Sequence, residues 1–116
     1  MLVDDEPNLR MIAAELLIDA GHTVIEFSTA ADAKAYASVP GNWLTTVVTD
    51  INMPGDEDGL HLAALIRATR PQAAVIVTSG RYAALPAGMP DGIGFLPKPW
   101  SAAALLQAVG PVHMRH

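Results

Sequence analysis

"VVTDINMPG" spans Val47–Gly55. A β-branched stretch runs into Asp50 and is then halted by Pro54 and Gly55, the pattern of a strand giving way to a turn. Asp50 therefore stands at the carboxyl end of a strand. An aspartate in that place either caps the next helix or is a carboxylate presented at the edge of a sheet. The neighbouring segments decide between the two.

Three further stretches, "HTVIEF", "AAVIVTSG" and "GIGFLPK", join "TTVVTD" as strands, with "MLV" as a fifth, shorter one. Their interiors are nearly continuous in Val, Ile and Phe, as expected of parallel strands covered by helices on both faces. Helical segments lie between them. "EPNLRMIAAELLIDAG" puts Leu9, Ile12, Ala13, Leu16 and Leu17 on one face, with Gly21 placed to stop it. "STAADAKAYASV" offers Ser28 and Thr29 as caps and Asp32 in the first turn, where negative charge suits the helix dipole. "GLHLAALIRATRP" repeats apolar residues at Leu60, Ala63, Ala64 and Ile66 and closes at Pro71, and "SAAALLQAV" starts from Ser101. "RYAALPAGMPDG" carries two prolines and two glycines, so the fourth helical position is expected to be irregular. The expected fold is α/β: a doubly wound, five-stranded parallel sheet with a shortened first strand. Right-handed crossovers then place the ligand site outside the carboxyl ends of the strands.

At 116 residues the chain is expected to be one domain, 1–116, with 113–116 as a tail. With 51% hydrophobic and 16% charged residues there is ample material for a core. A net charge of -5 with scattered Arg and Lys argues against direct nucleic-acid binding. Without cysteine there is neither a disulfide framework nor a thiolate metal site. No apolar run approaches the roughly 20 residues of a membrane span, and "MLVDDEP" lacks the regions of a signal peptide. The expectation is a cytoplasmic protein with no membrane association.

At the strand ends fall Asp4 and Asp5, Asp50, Thr78 and Ser79, and Lys98. Each alone reads as a cap, a turn former or a solvated side chain. Three clustered carboxylates, however, repel one another unless a cation neutralises them or their pKa values rise. Hard oxygen ligands with room for waters describe a Mg²⁺ site, which favours a phosphoryl group as a further ligand. A lysine and a hydroxyl complete a site for a tetrahedral anion, and Gly80 beside the hydroxyl lets backbone approach it. Asp50 then reads as a nucleophile that attacks phosphorus to give an acyl phosphate.

On these motifs the chain closely resembles the receiver domain of two-component response regulators. "VDDEP" matches the acidic pair, "VVTDINMPG…DGL" the phosphoacceptor motif, "VIVTSG" the hydroxyl motif and "FLPKP" the lysine-proline motif. The likeness covers essentially the whole chain, and four motifs in this order are far more specific than any one. It implies the flavodoxin-like strand order 2-1-3-4-5. It implies Asp50 as the phosphorylated residue, with Asp5, Asp50 and the backbone carbonyl of Asn52 as Mg²⁺ ligands and Asp4 completing the acid pocket. Ser79 resembles the mobile hydroxyl, ahead of Thr78. Lys98 would pair with phosphoryl oxygens and precede a cis bond to Pro99. Phe95 corresponds to the aromatic switch, although an ordinary core aromatic explains it equally well. Asn52 and Arg81 would set the lifetime of the acyl phosphate. The implied partners are a histidine kinase or histidine phosphotransfer protein, a downstream protein and, in one arrangement, a phosphorylation-dependent homodimer.

The chain departs from the family pattern in its short first strand, a "MPGDEDG" loop one residue longer than usual and the proline-rich 81–90 segment. Asp56, Glu57 and Asp58 read as solvated loop acids, His22, His61, His113 and His116 as non-ligands, and Trp43 and Trp100 as packing at helix or loop margins. With no effector sequence following, a stand-alone regulator or phosphate sink is expected, unless the chain is an excised receiver from a larger protein. A Mg²⁺-dependent aspartyl phosphatase is the alternative, but it would want Asp-x-Asp after the first strand. A flavin or nucleotide binder would want a phosphate-cradling loop where acidic "DDEP" stands.

Overall fold

In a computed structural model that describes residues 1–51, 59–82 and 84–111, β1 (Leu2–Val3), β2 (Glu26–Phe27), β3 (Thr46–Asp50), β4 (Ala74–Ser79) and β5 (Ile93–Pro97) form one sheet. All neighbours are parallel and the order is β2-β1-β3-β4-β5, the 2-1-3-4-5 arrangement expected. Helices α1 (Pro7–Asp19), α2 (Ala30–Ala37), α3 (Gly59–Thr69) and α4 (Ala102–Val109) connect or follow the strands.

The near-continuous apolar strands are explained by two cores, one on each face. Val3, Val47, Val75, Val77 and Ile93 point into a core shared with Ala33 of α2 and Leu62, Ala63 and Ile66 of α3. Their neighbours Leu2, Val48, Ile76 and Leu96 point the other way, against Ala13, Ala14 and Leu17 of α1 and Leu105 and Val109 of α4. This alternation follows from the two-residue period of a strand. All five residues of β3 are buried. Trp100 packs against the second core, whereas Trp43 is 50% exposed.

Local chemistry sets most boundaries. Gly21 takes φ +100 after α1, a value that favours glycine. Its N–H bonds the Ile18 carbonyl at 2.9 Å and the His22 N–H bonds that of Leu17 at 3.0 Å, a Schellman end. Thr29, not Ser28, caps α2 by accepting the Asp32 N–H at 3.1 Å. Ser101 caps α4, accepting from the Ala104 N–H at 3.0 Å. Arg70, just beyond α3, donates to the carbonyls of Ala37 (2.8 Å), Val39 (3.0 Å) and Asn42, tying the end of α2 to the end of α3.

Two expectations are corrected. The stretch 22–27 is strand only at Glu26–Phe27, because β2 is an edge strand whose sole partner β1 offers two residues, in register Leu2↔Glu26 and Val3↔Phe27. On α1 the buried residues are Ala13, Ala14 and Leu17, while Ile12 is 48% exposed. The buried face is therefore narrower and turned one residue further along, and small alanines let α1 lie close to the sheet. The irregular fourth helical position is as expected: among the described residues, 80–92 contains no helix. The loop acids Asp56, Glu57 and Asp58 and the tail histidines lie outside the described residues.

Candidate functional site

The carboxyl edge of the sheet brings most of the expected residues together. Asp50 ends β3 and Asp4 follows β1; both are buried, at 5% and 6% exposure, while Asp5 beside it is exposed. One ligand oxygen from each of Asp4, Asp5 and Asp50 lies within 4.8 Å of the others. Lys98, immediately after β5, places Nζ 3.1 Å from Asp4 Oδ2 and 3.1 Å from Asp50 Oδ2. Two backbone bonds continue the ladders past the strand ends, from Ile51 N to the Thr78 carbonyl (3.0 Å) and from Lys98 N to the Ser79 carbonyl (2.8 Å). They hold Asp50, Ser79 and Lys98 on adjacent strand ends. The Lys98–Pro99 peptide is cis.

The adjacent aspartates are not equivalent. Asp4 Oδ1 accepts the Glu6 N–H at 2.9 Å, at the start of α1, and its Oδ2 faces Lys98. Both Asp4 oxygens are thus engaged. Asp5 has no hydrogen bond or ion pair among the described residues, so it is the carboxylate open to an incoming cation.

Burial opposes the charged form of Lys98, yet its hydrogen bond to Asp4 and the field of Asp4 and Asp50 prevail and hold its pKa above the ordinary 10.5. One ammonium against three carboxylates leaves two uncompensated negative charges. That balance and the all-oxygen donor set fit a hard divalent cation such as Mg²⁺.

Ser79 is fully buried and its Oγ accepts the backbone N–H of Arg81 at 3.0 Å and of Tyr82 at 3.1 Å. The hydroxyl therefore anchors the start of the 80–92 segment. Thr78, also buried, pairs with Asp50 in the sheet register. Arg81 is exposed at the site edge. Phe95 is half-buried, pairs with Val77 and packs on the α2–α3 core. A Cβ on Gly80 would meet Lys98 Cβ at 3.8 Å, an ordinary contact, so the protein itself does not require glycine there. Asn52, whose carbonyl was expected as a ligand, lies outside the described residues.

Sequence reasoning read Gly59 only as the start of a helix. In the fold a Cβ there would overlap the Asp50 carbonyl oxygen and lie 2.6 Å from its carbonyl carbon, with Thr49 Oγ1 at 3.0 Å. Glycine is what lets α3 start against the backbone that carries Asp50. The signal available was the "DGL" that follows the phosphoacceptor motif.

Comparison with known proteins agrees with this geometry. The family described as "Response regulator receiver domain" matches residues 1–110. The chain is 34% identical over 110 residues to the C4-dicarboxylate transport transcriptional regulatory protein DctD of Rhizobium meliloti, covering 92% of this chain and 23% of that protein. It is 35% identical over 113 residues to the sensor kinase CckA of Brucella abortus, covering 94% of this chain and 12% of that protein. The chain thus spans less than a quarter of either relative, 23% and 12%. Among solved structures, a response regulator receiver protein from Sinorhizobium medicae superposes with a TM-score of 0.84 at 34% identity, covering 93% of this chain and 87% of that one. No helix among the described residues is long and apolar enough to cross a membrane.

Proposed function

The chain belongs to the response regulator receiver domain family of two-component signalling, and from that premise we propose that Asp50 accepts a phosphoryl group from a phosphohistidine on a histidine kinase or histidine phosphotransfer protein. The observation that carries this reading is the pair of 3.1 Å contacts joining Lys98 to Asp4 and Asp50 beside the open carboxylate of Asp5. An Asp50 carboxylate oxygen attacks phosphorus while the phosphorus–nitrogen bond breaks, and its electron pair leaves on the imidazole nitrogen. Lys98 then exchanges its contact with Asp50 for the oxygens of the transferred group and balances their charge. Asp5 and Asp50, with Asp4 completing the pocket and the Asn52 carbonyl as the further ligand that the family likeness implies, would hold Mg²⁺, which would supply charge neutralisation on the phosphoryl oxygens. The module catalyses only its own phosphorylation and dephosphorylation, with Asn52 and Arg81 setting the lifetime of the product. It acts in the cytoplasm by contact with a downstream protein.

The aspartyl phosphatase reading is not favoured. Its nucleophile and acid/base partner would stand as Asp-x-Asp after the first strand, whereas Asp4 and Asp5 are adjacent there. Incubation with acetyl phosphate and Mg²⁺ should give one phosphoryl adduct by intact mass, absent in Asp50→Ala. A wild-type protein that hydrolyses an external phosphate ester without forming an adduct would refute the proposal.

Output runs through Ser79 and Phe95. Adding a charge of roughly -1.5 to -2 at Asp50 creates acceptors that draw the Ser79 hydroxyl inward. Because Ser79 Oγ holds the Arg81 and Tyr82 amides, that movement re-sets the 80–92 segment and opens space for Phe95. Phe95 ring resonances should shift when a phosphoryl mimic is added with Mg²⁺. Unchanged resonances at saturation would eliminate this switch.

A further inference from the structure

Beyond β1 the sheet does little to hold the acidic pair. The strand ends at Val3, the Asp4 N–H still bonds the Phe27 carbonyl at 3.1 Å, and Asp5 lies past that last ladder bond. Arg10 reaches back to this place from the first turn of α1. Its Nη1 donates to the Asp4 carbonyl at 2.8 Å, and its Nε lies 3.3 Å from Glu26 Oε1 on β2. The Arg10 backbone is itself fixed in the helix, its N–H bonding the Glu6 carbonyl at 3.0 Å.

The Asp4 carbonyl and the Asp5 amide form one planar unit, so holding that oxygen sets the direction in which Asp5 leaves the plane. Asp5 has no side-chain partner of its own among the described residues. Its aim therefore depends on backbone alone. The Arg10–Glu26 pair is partly exposed, with side chains 21% and 43% accessible, and as an ion pair it contributes little to stability. Its effect is to hold the guanidinium in one orientation, and the planar fork can then serve the Asp4 carbonyl and Glu26 at once.

We propose that Arg10 is a positioning residue for the cation pocket, braced by Glu26 and holding the Asp4–Asp5 peptide so that Asp5 faces Asp50. This rests on the reading of Asp4, Asp5 and Asp50 as a Mg²⁺ site. The test is Mg²⁺ titration of the whole chain, followed by amide shifts, for wild type, Arg10→Met, Arg10→Lys and Arg70→Ala, with melting curves in chelator. Arg10→Met keeps an unbranched stem and good helix propensity but loses every donor. Its Kd for Mg²⁺ should rise about 10-fold, the low end for residues that orient metal ligands. Arg10→Lys, with charge but no fork, should fall between. Arg70→Ala removes three carbonyl contacts near the ends of α2 and α3 and should lower the melting temperature without moving the Kd.

An Arg10→Met chain that melts lower yet binds Mg²⁺ as tightly as wild type has lost only structural support, which overturns the proposal. Should the methionine variant not fold, a wild-type Kd in Arg10→Lys overturns it instead. A wild type that does not bind Mg²⁺ sinks the pocket reading itself, and is thereby distinguished from a failure of Arg10 alone.

Discussion

Replacing Gly59 by alanine will cost this protein about 3 kcal/mol or more of stability, beyond the usual penalty for an added methyl, because the obstacle is backbone. The new Cβ would fall on the Asp50 carbonyl oxygen, 2.6 Å from its carbon and 3.0 Å from Thr49 Oγ1. Neither neighbour can swing away. Asp50 belongs to a five-residue strand paired throughout with β4, and the Thr49 hydroxyl is buried and bonded to that same carbonyl at 3.2 Å. The first turn of α3 must therefore lift from the sheet, weakening the 3.3 Å bond from Gly59 N to the Ile51 carbonyl and disturbing the strand end that presents Asp50. Urea unfolding should show a lower midpoint with an unchanged slope. The comparison is Gly80→Ala, whose Cβ would meet only Lys98 Cβ at 3.8 Å and should be close to neutral. A Gly59→Ala protein as stable as wild type would show that α3 does not start against Asp50.

Lys98→Met should be nearly as damaging, but its defect should respond to Mg²⁺. Removing the ammonium leaves Asp4 and Asp50, both buried, without the cation that stands 3.1 Å from each. Breaking such a pair from one side costs about 3 kcal/mol when the remaining charges stay buried. Measured in chelator, the full loss should appear. On the proposed reading, Mg²⁺ at the pocket offsets carboxylate charge that only Lys98→Met leaves uncompensated, so added Mg²⁺ should stabilise that variant more than wild type and narrow the gap, whereas the steric defect of Gly59→Ala should persist. Phosphorylation by a small donor should slow in Lys98→Met even with Mg²⁺ saturating, since among the described residues no other ammonium stands at the pocket. The pH dependence has a defined sign. Burial disfavours the Lys98 charge, but the hydrogen bond and field of the two aspartates outweigh it, so the folded pKa lies above the unfolded 10.5. The stabilisation is fully present below 10.5 and lost as pH rises through the folded value. The stability gap between wild type and Lys98→Met should stay flat from neutral pH to that point and shrink only beyond it. Equal stabilities in chelator at neutral pH would mean the ion pairs contribute nothing.

Much of this was readable from residue order because local rules agreed with the fold. The near-continuous apolar runs at Val47 and Val48 and at Val75, Ile76 and Val77 marked strands covered on both faces before any packing was known. Strand-end placement then predicted that Asp4, Asp50, Ser79 and Lys98 would share an edge. The failures have a common source in tertiary context. "HTVIEF" has the composition of a six-residue strand, yet its length is set by a two-residue neighbour far away in the chain. Ile12 fits the apolar face of α1 by spacing, but the surface that α1 covers accepts Ala13, Ala14 and Leu17 and leaves Ile12 in solvent.

Two kinds of information are therefore separable here. Order and residue type alone determined the alternating architecture and the gathering of Asp4, Asp5, Asp50 and Lys98 at the carboxyl edge of the sheet, because strand period and turn residues act through near neighbours or through simple counting. Only the assembled fold distinguished Asp4, bonded through both oxygens, from its open neighbour Asp5. Only the fold, likewise, gave Gly59 and Arg10 their roles. Those distinctions depend on distances of about 3 Å between groups contributed by different strands and helices, and contacts of that length between separate elements are decided by packing rather than by any local preference.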